Sequence, residues 1–326
     1  MKKKLIVIGS IVLAIAVLAG GAYGIIALTN PFHVNDLTGF AQEHGSVDGR
    51  EIAPMQLNSD GEFVVLQFTD THLVNVNRRG SEPDVQTLEM IAYWTQRVNP
   101  DLVVITGDLL EGRSARNHLF GDRHAVLHGI ADVFERAGQP WTFTPGNNDH
   151  EFMGSACDVA AFLAYHYDYV LLSNAAGLPG AVHFNLPLLD AGWELAHQLI
   201  FIDSLSRHEI MTQEQADWLA LALETPVQVS IFFHYNTPMF YDAGYQFRGR
   251  EGDTVVDEVI LAADNVGLVS VGHMHPPENR LFDVDGMYLQ VVRASGYRRG
   301  DESPGAAVIT IRPGDDALYL FEEIVF

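Results

Sequence analysis

Residues 63–72 read Phe-Val-Val-Leu-Gln-Phe-Thr-Asp-Thr-His. An apolar, β-branched run that breaks abruptly into an aspartate and a histidine has the form of a buried strand with polar side chains at its end. The same design recurs downstream. Leu102–Thr106 ends in Gly107-Asp108, Trp141–Thr144 ends in Pro145-Gly146-Asn147, 227–233 ends in His234, and Val266–Val271 ends in Gly272-His273-Met274-His275. Helical spacing fills the gaps. Val85, Leu88, Ile91, Ala92 and Thr95 share one face of a predicted helix over 83–98, stopped by Asn99-Pro100. A second helix is predicted over 123–137. Thr212-Gln213-Glu214-Gln215 is a capping box that opens a third, running to about Leu223. Further strands are predicted at 182–188, Leu195–Ile202, 288–292, 307–311 and 318–326. Strands alternating with helices predict an α/β fold. In open α/β sheets ligands bind beyond the carboxyl ends of the strands. Five strand ends carrying Asp, Asp, Asn, His and His therefore predict one shared site.

The chain has 326 residues, with 19 Lys and Arg against 42 Asp and Glu, for a formal net charge of −23. This acidity argues against nucleic-acid binding through a broad basic surface. A hydrophobic fraction of 48% excludes a disordered chain, and a single cysteine, Cys157, excludes a disulfide framework and a Cys-rich zinc module. The three lysines are Lys2, Lys3 and Lys4, followed by an uncharged run from 5 to 28. Taking residues 1–28 away removes three positive charges and no acid, which leaves −26. The run is long enough to cross a bilayer core of about 30 Å. It reads as one N-terminal transmembrane helix and membrane anchor with the lysines inside, or as a signal segment cleaved after Gly24. Either places the rest outside the cytoplasm, at the cell membrane or secreted. Residues 29–60 read as a tether and lead-in strand, and 61–326 as one catalytic domain. The oligomeric state stays open.

Asp70-Thr71-His72 and His273-Met274-His275 each set two donors at i and i+2, the same side of an extended chain, where both reach one ion. Gly107 lets the chain turn close to a metal, and the two oxygens of Asp108 suit a bridge between two ions. The amide oxygen of Asn147 is a hard-cation ligand. In order and context these elements (D-x-H, G-D, G-N-[HN]-[DE], a single H, G-H-x-H) resemble the calcineurin-like metallophosphoesterases over about residues 63–311. The segments Phe201-Ile202-Asp203-Ser204 and 212–219, with Ser295-Gly296-Tyr297 and 305–309, resemble the purple-acid-phosphatase-like branch.

The resemblance implies a four-layer α/β/β/α sandwich of two mixed sheets, with a two-metal centre. One ion takes Asp70, His72 and His275, the other takes Asn147, His234 and His273, and Asp108 bridges them. The ions are Mn, Fe or Zn, since this ligand set does not separate them. The activity implied is hydrolysis of small-molecule phosphate esters by a metal-bridging hydroxide. Phosphomonoesters are favoured, with phosphodiesters of nucleotides or the envelope as the alternative. Two positions depart from the family pattern. Glu111 stands where the purple enzymes carry the tyrosine ligand of ferric iron. Asn148 stands where most of the family has a histidine that contacts phosphate and protonates the leaving group. Asn148 still donates hydrogen bonds to a phosphoryl oxygen but supplies no proton, which leaves open a metal-binding scaffold with weakened turnover. His150 is the candidate replacement acid, against a structural role bonded nearby. Asp149 reads as a support for the loop or for a metal-ligand histidine. Arg113, Arg78 and Arg79 lie in loops after ligand-bearing strands and are candidate phosphate contacts. His124 and His128, at i and i+4 on the 123–137 helix, have the spacing to chelate a metal but lack a third ligand nearby, and read as a solvated or helix-packing pair. Cys157 and the Trp218, Leu219, Ala222, Leu223 stripe read as packing.

Overall fold

The computed structural model describes residues 37–76, 81–112, 122–151, 155–175, 177–206, 209–246, 255–298, 303–315 and 317–326. The expected N-terminal helix over 1–28 and Arg78, Arg79 and Arg113 lie outside these residues. Among the described residues no helix is long and apolar enough to cross a membrane.

Fourteen strands are described. The chain opens with β1 (Met55–Gln56), β2 (Phe63–Phe68), β3 (Leu102–Thr106) and β4 (Trp141–Thr144). It continues through β5 (His183–Leu189), β6 (Leu195–Ile202), the short ribbon β7 (Leu205–Ser206) and β8 (Glu209–Ile210), and β9 (Val229–Phe232). It closes with β10 (Val266–Val271), β11 (Arg280–Val284), β12 (Met287–Val291), β13 (Gly305–Ile311) and β14 (Tyr319–Val325). Two mixed sheets result. The smaller has the order β14-β13-β2-β3-β4 and the larger β1-β5-β6-β9-β10-β12-β11. In the small sheet β2, β3 and β4 are parallel, while β6, β9, β10 and β12 are parallel in the large one. The ligand-bearing ends of β2, β3, β4, β9 and β10 are all carboxyl ends.

The alternation of side chains assigns the faces. In the large sheet Leu199, Phe201, Phe232 and Leu268 join the core shared with the small sheet. Ile200, Ile202, Val229, Ile231, Val269 and Val271 face a second core, which includes Ala216, Leu219, Val256 and Ile260. Those residues come from helices α6 (Gln213–Ala222) and α8 (Val255–Leu261) on that face. Against the small sheet lie Ile91 of α2 (Glu82–Val98) and Val126, Leu127, Ile130, Ala131 and Phe134 of α3 (Arg123–Glu135). The expected layering of two mixed sheets between helices is present. Gln67 makes two polar contacts, one of them across to the large sheet. Gln67 Nε2 donates to Thr106 Oγ1 at 2.9 Å, and Ser270 Oγ donates to Gln67 Oε1 at 2.6 Å.

The 37–60 stretch differs from a simple tether. Leu37 and Val47 are buried, and Phe40 of α1 (Phe40–His44) meets Phe162 edge-on at 5.3 Å. Ala41 N–H donates to Asp158 Oδ1, and Met55 and Gln56 pair with Leu188 and Leu189. Few apolar residues are enough here because the receiving helix, α5 (Ala156–His166), is apolar nearly all round and has a face to spare. A fully buried Phe162 anchors this docking. Phe162→Ala is expected to lower unfolding free energy by about 3–5 kcal/mol. Phe162→Leu should cost clearly less. Denaturant unfolding monitored by circular dichroism measures both.

Candidate metal centre

Beyond their last paired residues, β2 and β3 keep running side by side. Asp70 N–H donates to Gly107 O, His72 N–H to Asp108 O, and Leu73 N–H to Leu109 O, each at 3.0 Å. The backbone kinks along this extension. Asp70, His72 and Asp108 have φ of 52°, 47° and 49°, and His273 and His275 have 71° and 45°. Side chains rarely occupy this left-handed region, which costs about 1–3 kcal/mol per residue and collects at functional sites. The i, i+2 pairs therefore converge through paired kinks rather than through plain strand alternation.

Two convergences follow. The ligand atoms of Asp70, His72 and His275 lie within 4.8 Å of one another, and so do those of Asp108, His234 and His273. Among the described residues these are the two places where three such atoms meet. His72 Nε2 is 3.1 Å from His275 Nε2 and 3.6 Å from Asp70 Oδ1. His273 Nδ1 is 3.2 Å from His234 Nε2. Asp108 joins the groups, with Oδ1 3.4 Å from His234 Nε2 and Oδ2 3.7 Å from His72 Nε2. Asn147 is 1% exposed, and neither Oδ1 nor Nδ2 has a hydrogen-bond partner. A buried, orphaned amide costs stability unless something else accepts it, and a cation beside His234 and His273 fits that need.

The electrostatics prepare the same donors. Burial works to raise Asp70, but His275 and His72 outweigh it and hold the carboxyl well below the usual carboxylate range. Asp108 is lowered likewise, with His234 and His72 overcoming burial. Burial lowers His234, so its ring stays neutral. Its Nδ1 donates to Thr106 O at 2.8 Å, which aims the Nε2 lone pair at the centre. Anionic carboxylates and neutral imidazoles are the forms that bind metal. The residues present fit two divalent ions.

Supporting groups emerge that strand-end motifs alone do not reveal. Thr69 Oγ1 lies 2.8 Å from both Asp70 Oδ2 and Thr106 O, with one proton to share between them, and His273 N–H donates to Asp70 Oδ2. A side chain at Gly272 would collide with Thr69 Oγ1, and one at Gly107 would meet His234 Cγ at 2.6 Å. Asp149 accepts from the Gly146, Leu109 and Leu110 N–H groups. Burial and the nearby Asp108 push it up to about 7, against the pull of those three bonds. This clamps the Asn147 turn, α4 (Asn147–His150), onto the Asp108 loop.

Asn148 and His150 are both committed within the chain. Asn148 is 2% exposed. Its N–H donates to Asp108 Oδ1 at 2.7 Å, its Nδ2 donates to Asp108 Oδ2 at 2.5 Å, and its Oδ1 accepts from Gly112 N–H. It steadies the joining carboxylate. His150 Nε2 lies 2.8 Å from Asp203 Oδ1. Burial opposes a charge on this ring, yet Asp203 prevails and raises its pKa. His124 packs on Phe162 at 4.9 Å between centroids and His128 pairs with the Tyr167 hydroxyl, so the pair joins helices and makes no ligand cluster.

The profile of the family described as calcineurin-like phosphoesterase matches residues 63–277. No curated protein matches the sequence. Among solved structures, a dimetal phosphatase from Danio rerio superposes with a TM-score of 0.56 at 11% identity, covering 81% of this chain and 96% of that one. GAP50, the anchor in the inner membrane complex of Plasmodium, superposes with a TM-score of 0.50 at 11% identity, covering 81% and 89%. Likeness at such identity is one of fold. Because the profile spans well over half the chain and contains every strand end that brings a ligand to the centre, this chain belongs to the calcineurin-like phosphoesterase family and is a metal-dependent phosphoester hydrolase.

Proposed function

We propose that this enzyme is an extracytoplasmic, membrane-anchored phosphomonoesterase of the purple-acid-phosphatase-like branch, working with two Mn, Fe(II) or Zn ions. One observation carries the two-ion chemistry: Asp108 offers one carboxylate oxygen to each histidine cluster. When bound, two such ions lower the pKa of a water and neutralise phosphoryl oxygens during in-line displacement. The chain supplies the geometry. Asp70, His72 and His275 would hold one ion, and Asn147, His234 and His273 the other. Asp108 would serve both, and Asn148 holds Asp108 in place. Glu111 at the purple enzymes' tyrosine position favours colourless divalent chemistry over a ferric tyrosinate. The location rests on the lysine-flanked apolar run at 5–28, and the branch rests on the 201–204 and 212–219 segments.

Asn148, in place of the usual histidine, has no proton to give, and His150 Nε2 faces Asp203. Esters with good leaving groups, which need little proton assistance, are the substrates this favours. Aryl phosphate should be turned over faster than bis-aryl phosphate by the purified, Mn-loaded protein. The reverse ranking would make the enzyme a diesterase.

Two substitutions test the centre. Asp108→Asn should reduce kcat/KM by about 10²–10³ or more, the equivalent of several kcal/mol of charge stabilisation. It should also lose at least one ion by metal analysis, and full turnover with two ions retained would refute the assignment. Asn148→His should raise kcat on alkyl phosphates by at least about tenfold while changing aryl phosphates little, since a general acid is worth about 10²–10⁴ when the leaving group is poor. Equal effects on both esters would argue against a missing acid.

A further inference from the structure

We propose that Glu111 is a positioning residue that acts through His72 and strengthens the hold on one ion, the one held by Asp70, His72 and His275. The inference rests on the two-ion reading above. His72 turns Nε2 toward the centre, where Asp70, Asp108 and His275 lie. A neutral ring that offers the Nε2 lone pair carries its proton on Nδ1. That nitrogen is buried and makes no hydrogen bond in this geometry, and Glu111 Oε2 lies 3.3 Å from it, within ion-pair range. The backbone delivers the carboxylate there. Leu73 pairs with Leu110 in a parallel bridge, Leu73 N–H donates to Leu109 O, and Glu111 N–H returns to Leu73 O at 3.1 Å. Glu111 is 8% exposed and His72 1%, so water screens the pair little.

The matching histidine of the other ion has a different partner. His234 Nδ1 donates to a neutral carbonyl, Thr106 O. The two ions thus stand on unequal supports, one imidazole backed by a carboxylate and one by a carbonyl. A carboxylate behind a ligating imidazole fixes the ring and raises its basicity, and losing such a partner typically costs about 10–100-fold in metal affinity.

Calorimetric titration of the metal-free full chain with Mn(II) tests this. The wild type should show two association constants. Glu111→Ala should lower one of them by about 10–100-fold and leave the other within about twofold. Glu111→Gln keeps an acceptor oxygen near Nδ1 but no charge, so it should lower the same constant by less. It also preserves the side-chain volume, which keeps the test decisive if the alanine variant does not fold. His275→Ala disables the Asp70 cluster and keeps the Asn147–His234–His273 ligands. In that background Glu111→Ala should not change binding of the remaining ion. Unchanged constants in Glu111→Ala, an equal loss at both ions, or a persisting effect in the His275→Ala background would each overturn the role of Glu111 alone. A wild type that takes up fewer than two ions would overturn the two-ion reading and this inference together.

Discussion

Everything at the centre depends on two strands that continue side by side past the end of their sheet. The Asp70–Gly107, His72–Asp108 and Leu73–Leu109 bonds keep the spacing of β2 and β3 while the backbone turns through left-handed kinks. Parallel pairing fixes which residue of one strand faces which of the other. The register that puts Val65 beside Leu102 in the core also brings Asp70 and His72 beside Asp108. A slip of one residue would bury the wrong faces of both strands and disperse the ligands, so the hydrophobic core and the metal centre select the same register.

Such a centre is costly to hold without compensation. Five ligand residues in the left-handed region cost about 1–3 kcal/mol each. The bonds that offset this run through the main chain: His273 N–H to Asp70, Asn148 N–H to Asp108, and three N–H groups to Asp149. Space is cleared in the same economical way. Gly107 takes a φ of +84° and leaves room for the His234 ring, and Gly272 leaves room for Thr69. The glycines beside the ligands are therefore as much a part of the site as the ligands.

Strand ends made the sequence legible. Apolar runs 4–8 residues long, broken by a ligand type, are simple signals, and Leu102–Thr106, Trp141–Thr144 and Val266–Val271 begin and end where their composition changes. Ligand grouping was legible because identical chemistry recurs at five such ends. Two kinds of feature were hidden. α5 shows no apolar stripe because most of it is buried, and only its Ser155–Asp158 capping box marks it. Strand β11 alternates weakly at a sheet edge. Contacts across the sequence were hidden too. Nothing local ties Glu111 to His72, His150 to Asp203, or Asn148 to Asp108, since each pairing is made by folding and not by spacing. That is why the motif residues could be named while the roles of Asn148 and His150 depended on their partners.

The acidity of the chain takes on a specific meaning at this point. Asp70, Asp108, Asp149 and Asp203 are all buried, yet among the described residues none of their hydrogen-bond partners is a lysine or an arginine. They are held by histidines, polar side chains and backbone N–H groups, while an arginine partner appears elsewhere, as Arg298 on Asp84. Fixed ammonium or guanidinium groups inside the centre would compete with cations for the same carboxylates. Neutral donors hold the carboxylates in place and leave their charge for the ions. With residues 29–326 at a formal −26, the centre included, an anionic ester meets net repulsion except where those ions would sit. Substrate attraction and catalysis are thereby tied to metal occupancy, and a metal-free chain would be expected to bind its substrate weakly as well as to leave it intact.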